Sequence, residues 1–173
     1  IIDIIKKQMP RLTQRLNSTL EKLRDPKNIE NHDNAATGSL LHWCKQLQTR
    51  YTGRHIKFNS NIDEDREIPL DIFTTVIENL LDNARVKRIR EPDLIINIHL
   101  TRKEKRLSLG VTDTGSEISS SIYPRLFKEA VSSNDGFGIG LYQSYELANN
   151  YGYELFVSDN SKGNVCFTLQ QKS

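Results

Sequence analysis

Cysteine is nearly absent: Cys44 and Cys166 are the only two among 173 residues. They lie far apart, each in an apolar run (Trp43-Cys44 and Val165-Cys166-Phe167). They therefore read as small buried hydrophobes rather than a disulfide or a metal site, in a chain from a reducing compartment. Long apolar runs are missing as well. No stretch reaches the roughly 18 residues that a spanning helix needs, and no signal peptide is visible. The expectation is a cytoplasmic chain with no direct membrane contact. Nor is charge of one sign concentrated. The net charge of +2 comes from 24 Lys and Arg interspersed among 22 Asp and Glu, without the basic block that a nucleic-acid partner calls for. Internal repeats and low-complexity tracts are absent too. The chain also lacks an initial Met: it opens on Ile1, as a piece of a longer protein would, one whose upstream part could be membrane-anchored.

The length suits one domain with a sizeable core plus an appendage and is short for two full domains. Ile2, Ile5, Met9, Leu12, Leu16, Thr19 and Leu23 recur at alternating steps of three and four, a heptad seam that wants a partner helix. Pro10 kinks this helix or marks its real beginning. The pattern stops near Asp25-Pro26, and the polar stretch that follows has linker composition. Three parts are expected: a helix over 1–26, a linker over 27–37 and a folded domain over 38–173.

Inside that domain, helical spacing runs from Leu40 to Tyr51 and strand-like alternation from Ile56 to Ile62. Pro69 suits the first position of the next helix. That helix carries the apolar stripe Ile72, Phe73, Val76, Ile77, Leu80, Leu81 and Ala84. Asn79 and Asn83 fall one turn apart at its edge, with Glu78, Asp82 and Arg85 on the solvated side. Leu94–Leu100 and Arg106–Thr112 read as an antiparallel hairpin turning through Thr101–Lys105. Ile118–Phe127 and Ile139–Tyr151 read as helices, the second stopped by Gly152. Tyr153–Val157 and Asn164–Leu169 close the chain as a hairpin. Helices and mostly antiparallel strands in mixed order predict an α+β fold, a two-layer sandwich with helices on one face of a mixed sheet.

Three segments carry chemistry. An isolated pair such as Asn79 and Asn83 usually caps backbone or satisfies itself. Mg2+, however, takes hard oxygen ligands and keeps waters, so an amide carbonyl from Asn83 suits it when nucleotide phosphates supply the charge. Asp113-Thr114-Gly115 follows a strand, where Asp-x-Gly is most often an ordinary turn. As a site, the Asp113 carboxylate accepts a hydrogen bond from an adenine amino group while Gly115 lets the ring approach the backbone. Gly136-x-Gly138-x-Gly140 lacks the final x-x-Gly of a dinucleotide fingerprint and no parallel strand precedes it. It fits better as a phosphate-contacting loop entering a helix. The combination points to ATP.

In this order, with Phe127 between the last two, the segments resemble the GHKL ATPases, a group that includes gyrase, heat-shock chaperone ATPases, histidine kinases and mismatch-repair ATPases. The match is best with the catalytic ATP-binding domain of a sensor histidine kinase. Glu78–Ala84 looks like the N box, Asp113–Ile118 the G1 box, Leu126-Phe127 the F box and Gly136–Leu141 the G2 box, within residues 38–170. The heptad helix resembles the second helix of the dimerisation and phosphoacceptor hairpin. The resemblance implies ATP and Mg2+ as cofactors. Asn79, Asn83, Asp113, Gly115, Ile118, Phe127, Gly136, Gly138, Gly140 and Leu141 would surround the nucleotide, with Asn83 on the metal and Lys128 near the γ-phosphate. It also implies phosphoryl transfer to a histidine on the missing helix, homodimerisation through the N-terminal helix, and a response-regulator receiver domain as partner.

The chain departs from the family pattern at several points. Glu117 stands where a second G1 glycine is usual. Val86 and Lys87 stand where a Lys and an aromatic often follow the N box, leaving Lys87 or Arg85 to compensate. Only Lys128–Asp135 separates the F and G2 boxes, a short lid. His32-Asp33 has the pairing of a phosphoacceptor but lies in a loop-like stretch. His42, His55 and His99 read as surface or packing residues, so the acceptor is expected upstream. Two alternatives stay open. One is a degenerate, non-catalytic regulatory or dimerisation module, favoured by Glu117, Val86 and the short lid. The other is an anti-sigma-type serine kinase, disfavoured by the heptad helix.

Overall fold

Alternation along the strands decides which way the sheet faces. In the computed structural model, which describes residues 36–51, 53–103, 106–128 and 139–172, β4 (Ile96–Lys103) buries Ile96, Ile98 and Leu100. β5 (Arg106–Asp113) likewise buries Leu107, Leu109 and Val111. Residues two apart share a face, so these six side chains form the floor of one core. The heptad helix, the linker through residue 35 with His32, and Gly136 and Gly138 lie outside the described residues.

The core sheet has five strands in the order β2-β4-β5-β7-β6, with β2 at Ile56–Ser60, β6 at Tyr153–Ser161 and β7 at Asn164–Gln171. β2 pairs with β4 in parallel, and the remaining neighbours are antiparallel. A parallel pair needs a crossover, which runs through α2 (Leu70–Arg90). α1 (Leu40–Tyr51) and α3 (Ile139–Asn150) complete the helical layer among the described residues. Phe73 of α2 joins the layers, edge-on to Trp43 of α1 at 5.5 Å and to Tyr153 of β6 at 5.4 Å. The fold is the expected two-layer α/β sandwich. No described helix is long and apolar enough to cross a membrane.

Four local expectations change. Pro69 is not the first helical residue: it ends β3 (Glu67–Pro69) with φ −71° and ψ 103° and caps α2 from outside. β3 pairs with β1 (Thr37–Ser39) in a second, two-stranded sheet built from residues partly assigned to the linker. The β4–β5 ladder continues to Lys103 opposite Arg106, so the turn is tighter than Thr101–Lys105. Ile118–Phe127 forms only one 3-10 turn at Tyr123–Arg125. Here a tertiary contact outcompetes the helix, because the Asn160 side chain accepts from the Ile118 N–H at 2.7 Å and donates to its carbonyl at 3.1 Å. The serine hydroxyls at 119 and 121 pair with each other at 3.0 Å, and Pro124 removes a donor.

Candidate functional site

One edge of α2 lays out the site. Asn79, Asn83, Lys87 and the capping Glu91 recur every four residues, so they form a slowly turning stripe about 18 Å long. Asn79 lies deepest, 5% exposed. Its Nδ2 donates to the Gly140 carbonyl at 3.1 Å and to the Ser144 hydroxyl at 2.7 Å, both on α3. The sequence put Asn79 at the rim of the apolar stripe, whereas the packing of α3 closes over it. A Cβ on Gly140 would fall 3.0 Å from Asn79 Oδ1, so glycine is what lets α3 start this close to α2. Asn83, one turn on, is exposed. Leu141 is half-buried against the core.

Asp113 continues the inward parity of Leu107, Leu109 and Val111, which aims its carboxylate at the helix layer from the last position of β5. It is 6% exposed. Its Oδ1 accepts from the Gly115 N–H at 2.9 Å and from Lys87 Nζ at 2.7 Å. Lys87 also donates to the Ser116 carbonyl. Gly115 is packed so tightly that a Cβ would meet Glu91 Oε2 at 2.5 Å and Leu94 Cδ1 and Lys87 Cε at 2.7 Å. Glu91 grips Ser116 twice, accepting from its N–H at 2.8 Å and its hydroxyl at 2.6 Å. Those hydrogen bonds, the hydroxyl first and the N–H after it, with Lys87 nearby, hold the Glu91 carboxyl below its ordinary value despite partial desolvation. Ile118 is half-buried and pinned by Asn160, while Glu117 is exposed.

Phe127 has φ 65°, a conformation that costs an aromatic residue on the order of 1–3 kcal/mol and persists only where packing over-determines it. Tyr145 stacks on its ring at 5.4 Å and Phe167 meets it edge-on at 6.3 Å. The residue therefore anchors this stretch of chain to α3 and β7. Lys128 follows it, exposed. Arg85 pairs with Asp82 at 3.3 Å and lies over the Tyr51 ring at 5.2 Å, away from the G1 turn.

Contacts thus tie α2 to Gly140 through Asn79 and to Asp113 through Lys87. Gly136 and Gly138 lie outside the described residues, and so does any contribution from them. Sequence reasoning missed Glu91, Ser144 and Asn160. The four-residue recurrence through Lys87 to position 91 was a usable signal for the first, whereas the other two meet the site only through tertiary contacts. Among the described residues no group of three or more His, Cys, Asp and Glu could hold a metal, so a cation here would rest on neutral oxygens and on its ligand. The donor set fits Mg-ATP at the phosphate end, where an exposed amide, Asn83, stands one turn from the residue that clamps Gly140. At the base end, a buried carboxylate beside a glycine suits an amino-bearing ring, but Lys87 already lies across it.

The sequence profile of the family described as histidine kinase-, DNA gyrase B-, and HSP90-like ATPase matches residues 69–173. Among solved structures, a nucleotide-free catalytic domain of histidine kinase ThkA superposes with a TM-score of 0.64 at 15% identity, covering 79% of this chain and 94% of that one. The mycobacterial sensor histidine kinase MprB gives 0.58 at 15% identity, covering 79% and 97%. Histidine kinase ThkA in complex with response regulator protein TrrA gives 0.67 at 15% identity, covering 98% of this chain but 49% of that one, so the chain spans about half of that protein. Identities this low speak to the fold alone. No match was found among curated protein sequences.

Proposed function

Because the chain belongs to the family of histidine kinase-, DNA gyrase B- and HSP90-like ATPases, we propose that residues 38–173 are the ATP-binding catalytic domain of a sensor histidine kinase. The domain positions the γ-phosphoryl of Mg-ATP for transfer to a histidine on a dimerisation helix and onward relay to a response-regulator receiver domain. One observation carries the reading: the edge of α2 that leaves the Asn83 amide exposed also clamps Gly140, at the entry to α3, through Asn79. Bound Mg2+ would supply charge neutralisation at the phosphates, with Asn83 among its ligands. The protein's own part is positioning and electrostatics rather than covalent chemistry. Asn79 fixes the first turn of α3, whose N–H groups face toward an anion. Asp113 is the acceptor on the base side, reached only in competition with Lys87, and the exposed Lys128 is available to the γ-phosphate. Homodimerisation through residues 1–26 and a cytoplasmic location belong to the same proposal.

The test is calorimetric titration of the 173-residue chain with ATP, with and without Mg2+, followed by labelled-ATP transfer to the parent's dimerisation hairpin supplied in trans. Both pieces must be concentrated, since the lost tether removes the effective-concentration advantage. Magnesium-dependent binding and an acid-labile, base-stable phosphoprotein are expected on the hairpin. Label on His32 of the isolated chain would overturn the placement of the acceptor. Absence of both binding and transfer would favour the second reading, a non-catalytic ATPase-like module, to which the Lys87–Asp113 pair lends support.

A further inference from the structure

We propose that Lys87 is the resident occupant of the base subsite, so that this chain holds a nucleoside triphosphate by its phosphates with little regard for the base. The inference rests on the nucleotide reading above and concerns which part of the nucleotide the site recognises.

The feature that suits this site to an amino-bearing ring is a buried acceptor beside a glycine that admits a flat group against the backbone. Lys87 uses both. Its ammonium pairs with Asp113 Oδ1 at 2.7 Å and donates to the Ser116 carbonyl. Its stem fills the space against Gly115, with Cε 2.7 Å from the position of a Cβ there, beside Glu91 Oε2 at 2.5 Å and Leu94 Cδ1 at 2.7 Å. Glu91, one turn further along α2, holds Ser116 by N–H and hydroxyl and so keeps the turn closed on the lysine. An adenine entering this space would displace the stem and bring an N–H donor that competes with the ammonium for the same carboxylate. The lysine is not sealed in, since its side chain is 23% exposed against 8% for Asp113. A flexible four-carbon stem at the rim can swing into water. The result is a reversible competition in which the base gains little over what the lysine loses.

The experiment measures affinities of the whole chain for Mg-ATP, Mg-GTP and Mg-tripolyphosphate, in the parent, Lys87→Met and Lys87→Gln, with melting curves to show that each variant is folded. The parent should bind ATP and GTP within about threefold of each other. Removing a charged competitor from a hydrogen bond to a carboxylate should raise ATP affinity about tenfold in Lys87→Met. Tripolyphosphate affinity should stay unchanged. Lys87→Gln, which keeps a donor but no charge, should fall between. Three results would overturn the inference while leaving the nucleotide reading intact. These are an unchanged or weakened ATP affinity in Lys87→Met, equal changes for ATP and tripolyphosphate, or a parent that prefers GTP more than about tenfold, in which case Lys87 serves a base carbonyl. Failure of parent and variants to bind any of the three probes would overturn the nucleotide reading and the inference with it.

Discussion

Asn79 and Asn83 are the same residue type one helical turn apart, yet truncating them should have opposite consequences. Asn79→Ala removes the donor shared by the Gly140 carbonyl and the Ser144 hydroxyl. Ser144 is fully buried, and its hydroxyl loses that donor without solvent to replace it. An orphaned buried polar group costs about 1–3 kcal/mol, and the void left by the amide adds to it. A net loss of about 2–3 kcal/mol lowers Tm by roughly 6–12 °C in a domain of this size. Asn83→Ala, on the exposed edge, should change stability by no more than about 0.5 kcal/mol, with the better helix propensity of Ala acting in its favour. The same variant should abolish the magnesium dependence of ATP binding. Thermal melts by circular dichroism and calorimetric titration, run on both variants, separate the two roles. Adding Ser144→Ala to Asn79→Ala removes the orphan and should recover about 1 kcal/mol. A melt of Asn79→Ala within about 0.5 kcal/mol of the parent would refute the bridging role. Unchanged magnesium-dependent affinity in Asn83→Ala would refute the metal role.

Asp113→Asn in a Lys87→Met background should weaken ATP and ADP alike, since the lost contact is remote from the γ-phosphate; a change confined to ATP, seen by competition, would place Asp113 elsewhere in the site. Glu91 has its folded value lowered, so its clamp on Ser116 is complete above the ordinary glutamate range and is lost as pH falls through the depressed value. The Ser116 amide resonance should report that acid opening in the parent, and the same transition persisting in Glu91→Gln would assign it to another group. The two free thiols should titrate far apart. Burial, with Asp65 nearby, pushes Cys44 up to about 11, whereas at Cys166 burial also raises the thiol but is outweighed by hydrogen bonding, first to His99 and then to Thr168, each 3.7 Å from Sγ, which brings it down to about 7. Thiolate absorbance rising in a single step near the ordinary value would refute this, and His99→Ala should move the lower step upward.

Periodicity decided a good deal without help. The apolar stripe of α2 and the inward alternation of β4 and β5 are local consequences of helical and strand geometry, so Leu40–Tyr51 coincides with α1 and the two-layer class follows. The boxes were legible only by their resemblance to a known family, and it is the family membership that the profile match over residues 69–173 bears out. What tertiary structure alone decided is which polar group satisfies which. The sequence treats Asn79 and Asn83 as equivalent edge amides, and only the approach of α3 buries one and leaves the other to solvent. It reads Ile118–Phe127 as a helix, but Asn160, more than thirty residues away in the chain, claims the Ile118 backbone first. Lys87 stood out as a departure from pattern, and nothing local could say that its ammonium would reach Asp113. Hydrophobic burial is set by composition and period, which a linear sequence displays. Hydrogen bonds and ion pairs depend on positions good to a fraction of an ångström between segments distant along the chain, and that information exists only once the chain has folded.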